Sequence, residues 1–272
     1  MSPFWCEQPR DFIGVSGADA LTYLHSQISQ DIRGLADGGA AYSFVLQPMG
    51  KIDALVRIVR RSAEEFVIDT EPGFGDIVIA RLNRFRIRVK VDITPLALRC
   101  VSLRGVSGPI DGAVPALGRD DAFDLIGESP VAPPGMRAGS ASDLLAARIE
   151  AGWPVMGREI TDASIPAETG VVAESVNFTK GCYPGQELVE RMDSRGSQAP
   201  RFVRRLRGAG EVAVGDEITR DSGVVGHITS LATSDHVWVA LAVVARSTQP
   251  GDMVTVSGRE VAVEASRPSA GL

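Results

Sequence analysis

Residues 178–196 read FTKGCYPGQELVERMDSRG, a thiol set in a glycine-bearing loop immediately upstream of a helical pattern. Pro184 suits the first turn of a helix running through Leu188 and Val189, because a helix start has no use for the N–H that proline lacks. Cys182, flanked by Gly181 and Tyr183, therefore falls just ahead of a helix N-terminus and near Lys180, a positive local field that favours thiolate. The commoner fate of a free cysteine is burial as a small apolar group, and spacing alone leaves both readings open.

Downstream of this stretch, from residue 201, short apolar runs follow one another: FVRRLRG, EVAVGDEI, GVVGHITS, VWVALAVV, DMVTV and REVAVEA, separated by Gly, Asp and Ser. That rhythm predicts a small antiparallel barrel. Upstream, SGADALTYLHSQISQDIRGL (16–35) predicts an amphipathic helix carrying Leu21, Leu24 and Ile28, with Gly34 as its stop. AYSFVLQPMGKIDALVRIVRR predicts a hairpin turning at Gln47-Pro48-Met49-Gly50, and EEFVIDT (64–70) a third strand. A second helix is expected after Pro72, with Val78, Leu82 and Phe85 on one side. Beyond it Arg84, Arg86, Arg88 and Lys90 alternate with Phe85, Ile87, Val89 and Val91, which in a strand would put four cations on one sheet face. Residues 105–140, rich in Gly, Pro, Ala and Asp, read as the least regular segment. Ser142 then caps DLLAARIEAG, a helix ending at Gly152. The fold class is α+β: helix-and-sheet units followed by a β domain.

The 272 residues carry 28 Lys+Arg against 34 Asp+Glu, a net charge of −6, with 44% hydrophobic residues. An acidic chain is no general nucleic-acid coat, although local basic stripes stay open. No apolar run reaches the ~18–20 residues of a membrane helix, and the first twenty residues lack a basic start followed by an apolar core, so a cytoplasmic protein without a membrane partner is expected. Three widely spaced cysteines, Cys6, Cys100 and Cys182, with three histidines, fit neither a disulfide framework nor a local metal signature.

The run Lys180-Gly181-Cys182-Tyr183-Pro184-Gly185-Gln186-Glu187 resembles the signature of the YgfZ family, folate-binding proteins linked to iron–sulfur cluster maintenance and tRNA modification. That family is a branch of the group containing the glycine-cleavage T-protein, an aminomethyltransferase. GADALTYLHSQISQDI (17–32), AYSFVLQPMGKIDAL (41–55), RIEAGWP (148–154) and IPAETGV (165–171) match in the expected order. The resemblance implies a T-protein-like ring of three domains around a central folate site: residues 1–51 with 144–200 as a discontinuous folate-binding domain, 52–143 as an inserted α+β domain, and 201–272 as the barrel. It also implies tetrahydrofolate or a derivative as cofactor, and iron–sulfur enzymes or assembly factors as partners.

Several residues follow from the resemblance. Glu150 matches the T-protein glutamate that binds the pterin; a pterin presents a ring N–H beside an exocyclic amine, and one carboxylate accepts both in parallel. Tyr42 matches an aromatic beside the folate. Lys180, Arg191 and Arg205 complete the cofactor-binding candidates, and Cys182 is the candidate functional thiol. Arg191, Arg195, Arg201, Arg204, Arg205 and Arg207 crowd the passage into the barrel, where they fit folate carboxylates, a solvated face, or contact with RNA or a partner shared with Arg84, Arg86, Arg88 and Lys90. One position departs from the pattern. Where aminomethyltransferases carry two adjacent acids after the hairpin turn, this chain has Asp53-Ala54, and alanine can neither orient an amine nor accept a proton. The resemblance thus implies a folate-binding accessory protein, with a folate-dependent aminomethyl or one-carbon transferase of the T-protein type as the alternative.

Overall fold

The computed structural model describes residues 2–194 and 199–267, and the chain divides into two compact units. The first comprises residues 1–141 and 172–190, the second 142–171 and 191–272.

The first unit holds β1 (Phe4–Glu7), β2 (Asp11–Ser16), α1 (Ala20–Gln27), β3 (Ala40–Leu46), β4 (Ile52–Ser62), β5 (Glu65–Thr70), α2 (Gly75–Arg84), β6 (Asp92–Leu96), β7 (Arg99–Arg104), β8 (Ala113–Ala116), β9 (Arg119–Gly127) and β10 (Arg137–Ala138). Two five-stranded sheets result, ordered β3-β4-β5-β2-β6 and β10-β1-β7-β9-β8. β4 shows how they are layered. Ala54, Val56 and Ile58 join Leu24 of α1 and Val78 and Leu82 of α2 in one core. From the other face of β4, Val59 joins Phe12, Val67, Cys100 and Val114, a cluster drawn from the two sheets. The period of two in the strand thus sends alternate residues to helices and to the second sheet.

The hairpin is as expected: Gly50 N–H donates to Gln47 O at 2.8 Å, and β3, β4 and β5 pair antiparallel in sequence order. Three expectations need correction. The first helix stops at Gln27, not near Gly34, because Ile28 turns extended and bridges to Val45 while Ser29 bonds to Phe44. Ile28 and Ile32 still reach the core, from irregular backbone. Residues 85–91 form no strand; α2 runs through Arg84, and β6 begins only at Asp92. Within 105–140, β9 is a regular nine-residue strand. Its hairpin with β8 turns at Leu117-Gly118, both with positive φ, the requirement of a tight primed turn.

The second unit contains most of α3 (Ala141–Glu150) and the strands β11 (Arg201–Ala209), β12 (Glu217–Arg220), β13 (Gly223–Ser234), β14 (Val237–Ala245), β15 (Met253–Val256) and β16 (Arg259–Ala265). These six close into a barrel, β11-β14-β13-β12-β15-β16, and each overlaps one of the six apolar runs, β12 least, since it begins at Glu217, near the end of EVAVGDEI, and continues to Arg220. On β14, Trp238, Ala240, Ala242 and Val244 fill the barrel. Val239 and Leu241, facing outward, pack with Val203 of β11 and Ile149 of α3. That contact sets the C-terminal end of α3, and Glu150, beside β11. In the first unit α4 (Val172–Ser175) precedes the 178–196 stretch, and α5 (Gln186–Ser194) lies within it, its last residues assigned to the second unit. Among the described residues no helix is long and apolar enough to cross a membrane.

Candidate functional site

The 180–187 run is held at two points, with the thiol between them. Lys180 is buried, and its ammonium donates to His25 O at 2.6 Å and Ile28 O at 2.5 Å, carbonyls left without helical partners where α1 ends. Burial lowers its pKa to about 8; Asp31 opposes the shift and Arg33 adds to it. The second anchor is Gly185, at φ +82°, where an added Cβ would lie 2.6 Å from Gln47 O and 3.0 Å from the Gly50 Cα. Gly50, at φ +83°, is matched in turn against Leu188 of α5. Two glycines therefore let the loop lie flat on the β3–β4 turn. Cys182 is exposed, whereas Tyr183, next to it, is buried under the Lys180 ammonium, 4.9 Å from the ring centre. The helix behind it starts at Gln186, not at Pro184. Gln186 Oε1 accepts from Tyr183 N–H, and Gln186 N–H donates to Tyr183 O, each at 3.3 Å.

Asp53 and Ala54 point to opposite faces of β4, as the strand period requires. Ala54 is fully buried in the core below α1 and α2. Asp53 accepts from Gln47 Nε2 at 2.8 Å and pairs with Arg81 at 3.3 Å, while Arg81 also donates to Leu46 O. The carboxylate is thereby tied to the end of the hairpin.

Tyr42 is half-buried on β3; its hydroxyl accepts from Leu117 N–H at 3.1 Å, and Arg57 lies 5.9 Å from its ring centre. Burial, reinforced by Asp124 and Asp69 and opposed by Arg57, raises its pKa. Behind it lies a buried ionic network that sequence reasoning missed. Arg57 pairs with Asp69 at 2.9 Å and Asp124 at 2.7 Å, Arg104 with Asp124 at 2.8 Å, and Arg10 with Asp69 and Glu71 at 2.7 Å each. Three arginines balance three carboxylates between the two sheets. Nothing in any one of these residues announces it, since only the fold brings residues 10, 57, 69, 71, 104 and 124 together.

In the second unit, Glu150 is half-exposed, and its carboxylate is gripped by Arg207 through both oxygens, Oε1 at 2.8 Å. Arg205 donates to Glu150 O at 2.7 Å and to Glu264 at 2.8 Å. The end of α3 is fixed further by Glu159, a fully buried carboxylate that accepts from Arg148 at 3.0 Å, Thr229 at 2.8 Å and Ser230 at 2.5 Å. The sequence reading passed over Glu159 because a buried acid has no local signature. Arg201 pairs with Glu168 at 3.1 Å, and Arg204 lies 4.7 Å from the Phe202 ring centre, so most of the arginine constellation is engaged internally. Arg191 is exposed, with no ion-pair partner among the described residues, and Arg195 lies outside them. Among the described residues no three His, Cys, Asp or Glu side chains converge as metal ligands.

No family model matches the chain. Over 217 residues it is 26% identical to the tRNA-modifying protein YgfZ of Klebsiella pneumoniae, a match spanning 67% of this chain and 65% of that protein. The YgfZ of Edwardsiella ictaluri is 28% identical over 234 residues, 73% of this chain and 69% of that one. The chain is related to the YgfZ proteins. An uncharacterized protein of Haemophilus influenzae is 28% identical across 87% of each chain. In fold, the glycine cleavage system aminomethyltransferase T of Bartonella henselae superposes with a TM-score of 0.76 over 98% of this chain and 86% of that one, at 16% identity. The YgfZ likeness thus stands on sequence, and the T-protein-like fold on structure.

Proposed function

We propose that this chain is a cytoplasmic tetrahydrofolate-binding accessory protein of the YgfZ type, supporting iron–sulfur enzymes and through them tRNA modification, with Cys182 as its functional thiol. The observation that carries the reading is the presentation of Cys182: exposed, between a buried lysine anchor and a glycine that admits no side chain. A cysteine with only a packing role would sit inward, as Cys100 does.

The Glu150 environment fits a pterin. The Arg207 guanidinium presents two parallel N–H donors to the carboxylate, the same pattern as the ring N–H and exocyclic amine of a pterin edge. Such a ligand would take the place of Arg207, whose side chain is 44% exposed and has room to move. Bound, the folate supplies a reduced pterin able to carry a one-carbon unit. Aminomethyl transfer of the T-protein type is not part of the proposal, because residue 54 offers a buried methyl group and Asp53 is committed to Arg81 and Gln47.

Calorimetric titration with tetrahydrofolate tests the reading. Wild type binds, and Glu150→Gln, which turns an acceptor into a donor facing a donor, loses a charged hydrogen bond of roughly 1.5–3 kcal/mol. Equal affinity in the variant removes Glu150 from the site, and saturable aminomethyl transfer with glycine-cleavage partners replaces the accessory role by the transferase.

A further inference from the structure

The segment Arg84-Phe85-Arg86-Ile87-Arg88-Val89-Lys90 places four cations within seven residues of a chain whose net charge is −6. It joins the end of α2 to β6, and residues 83–88 are exposed without interruption. Arg88 sits at φ 57°, a left-handed conformation rare for a residue with a side chain. Arg86 donates to Val91 O at 2.6 Å and lies 3.8 Å from Asp92. Among the described residues Arg84, Arg88 and Lys90 have no carboxylate within ion-pair distance. Three unneutralised cations on one short connection repel one another, and a polyanion relieves that repulsion.

Two further observations give the surface its chemistry. Phe85 is 37% exposed, and the guanidinium of Arg81 lies over its ring at 4.4 Å from the centre, with that of Arg84 at 5.9 Å. The part of the ring left open by these guanidiniums can stack with an unpaired base, and the planar Arg84 group can extend the stack. Next to it lies an open concavity of about 490 Å³, lined by Gly17, Ala18, Arg86, Val89, Lys90, Val91 and Asp92, two cations against one carboxylate. An anionic bilayer would meet the same cations and the exposed Phe85 and Ile87, but it presents no planar ring to stack on Phe85 and nothing to enter a concavity of nucleotide size.

We infer that residues 84–90 are a docking surface for RNA, the cations on successive phosphates and Phe85 under an unpaired base. This surface shares no residue with the proposed folate site and does not depend on folate binding. The probe is fluorescein-labelled tRNA, titrated with the full-length protein and followed by anisotropy at several salt concentrations. With three phosphates contacted by Arg84, Arg88 and Lys90, log K should fall against log salt with a slope of about −2. The variant R84Q/R86Q/R88Q/K90Q should bind at least about tenfold more weakly, with a slope near zero. Phe85→Ala should weaken binding roughly five- to a hundredfold while leaving the slope in place, and Phe85→Trp should retain it. Unchanged melting and tetrahydrofolate affinity in the quadruple variant show that the loss is local. The inference is overturned if wild type does not bind tRNA, if the quadruple variant keeps the affinity and slope, or if phosphatidylserine vesicles are bound in preference to tRNA.

Discussion

Gly185→Ala should detach the thiol loop from its support, whereas Gly181→Ala, four residues earlier, should do almost nothing. At Gly185 the backbone has φ +82°, a conformation that costs an L-residue about 1–2 kcal/mol. The new methyl would also lie 2.6 Å from Gln47 O and 3.0 Å from the Gly50 Cα, both backbone atoms of a hairpin turn that cannot yield as a flexible side chain would. Relieving that overlap moves the loop or the turn, and together the two effects reach about 2–4 kcal/mol, the range of backbone-strain mutations. At Gly181 nothing lies within 4 Å of an added Cβ, so the change should stay within about 0.5 kcal/mol. Urea unfolding followed by tryptophan fluorescence reads the difference as a fall in midpoint of about 1 M or more for Gly185→Ala, taking a slope near 2 kcal/mol/M. If the midpoints of wild type and Gly185→Ala coincide, or if Gly181→Ala falls as far, the close docking of the loop on the hairpin is wrong.

Asp124→Ala should cost about 3–5 kcal/mol in urea unfolding, because it leaves Arg57 and Arg104 buried with a shared partner gone. Burial pushes the Asp124 carboxyl up, but Arg104 and Arg57 outweigh it and hold the group well below the usual carboxylate range. Its stabilisation is therefore complete above the unfolded value of about 3.9 and is lost as pH falls below it, so wild type and variant should converge in acid. Among the three single-cysteine proteins, alkylation should be fast at exposed Cys182 and slow at Cys100, whose thiol burial pushes up to about 12; equal rates at the two would remove the distinction on which the functional reading rests.

Elements whose stability comes from their own periodicity were legible in the sequence. Five of the six barrel strands coincide closely with an apolar run bounded by turn residues, β12 being displaced toward the end of its run, and the β3–β4 hairpin is marked by Gln47-Pro48-Met49-Gly50. The alternation of residues 84–91 misled because period two requires a neighbouring strand to pair with, and this segment has none before Asp92. The helix from residue 16 was drawn too long because Ile28 and Ile32 have helical spacing but are buried from a bridge and a loop. In the site, the sequence marks Cys182 without deciding between exposure and burial, and the opposed faces of Asp53 and Ala54 follow from the strand period once β4 is in place. The bond of Lys180 to the end of α1, the grip of Arg207 on Glu150 and the role of Glu159 did not, since each joins residues distant in the chain, from 11 residues apart for Arg148–Glu159 to 155 for Lys180–His25.

Rescue by Cys182→Ser tests the account most directly. In a strain lacking the chromosomal copy and defective in iron–sulfur enzyme activity, the wild-type chain should restore that activity. Cys182→Ser, although folded and binding tetrahydrofolate with wild-type affinity, should not, and Cys6→Ser should restore it in full. Full rescue by Cys182→Ser would make the thiol a structural bystander and contradict the proposed role.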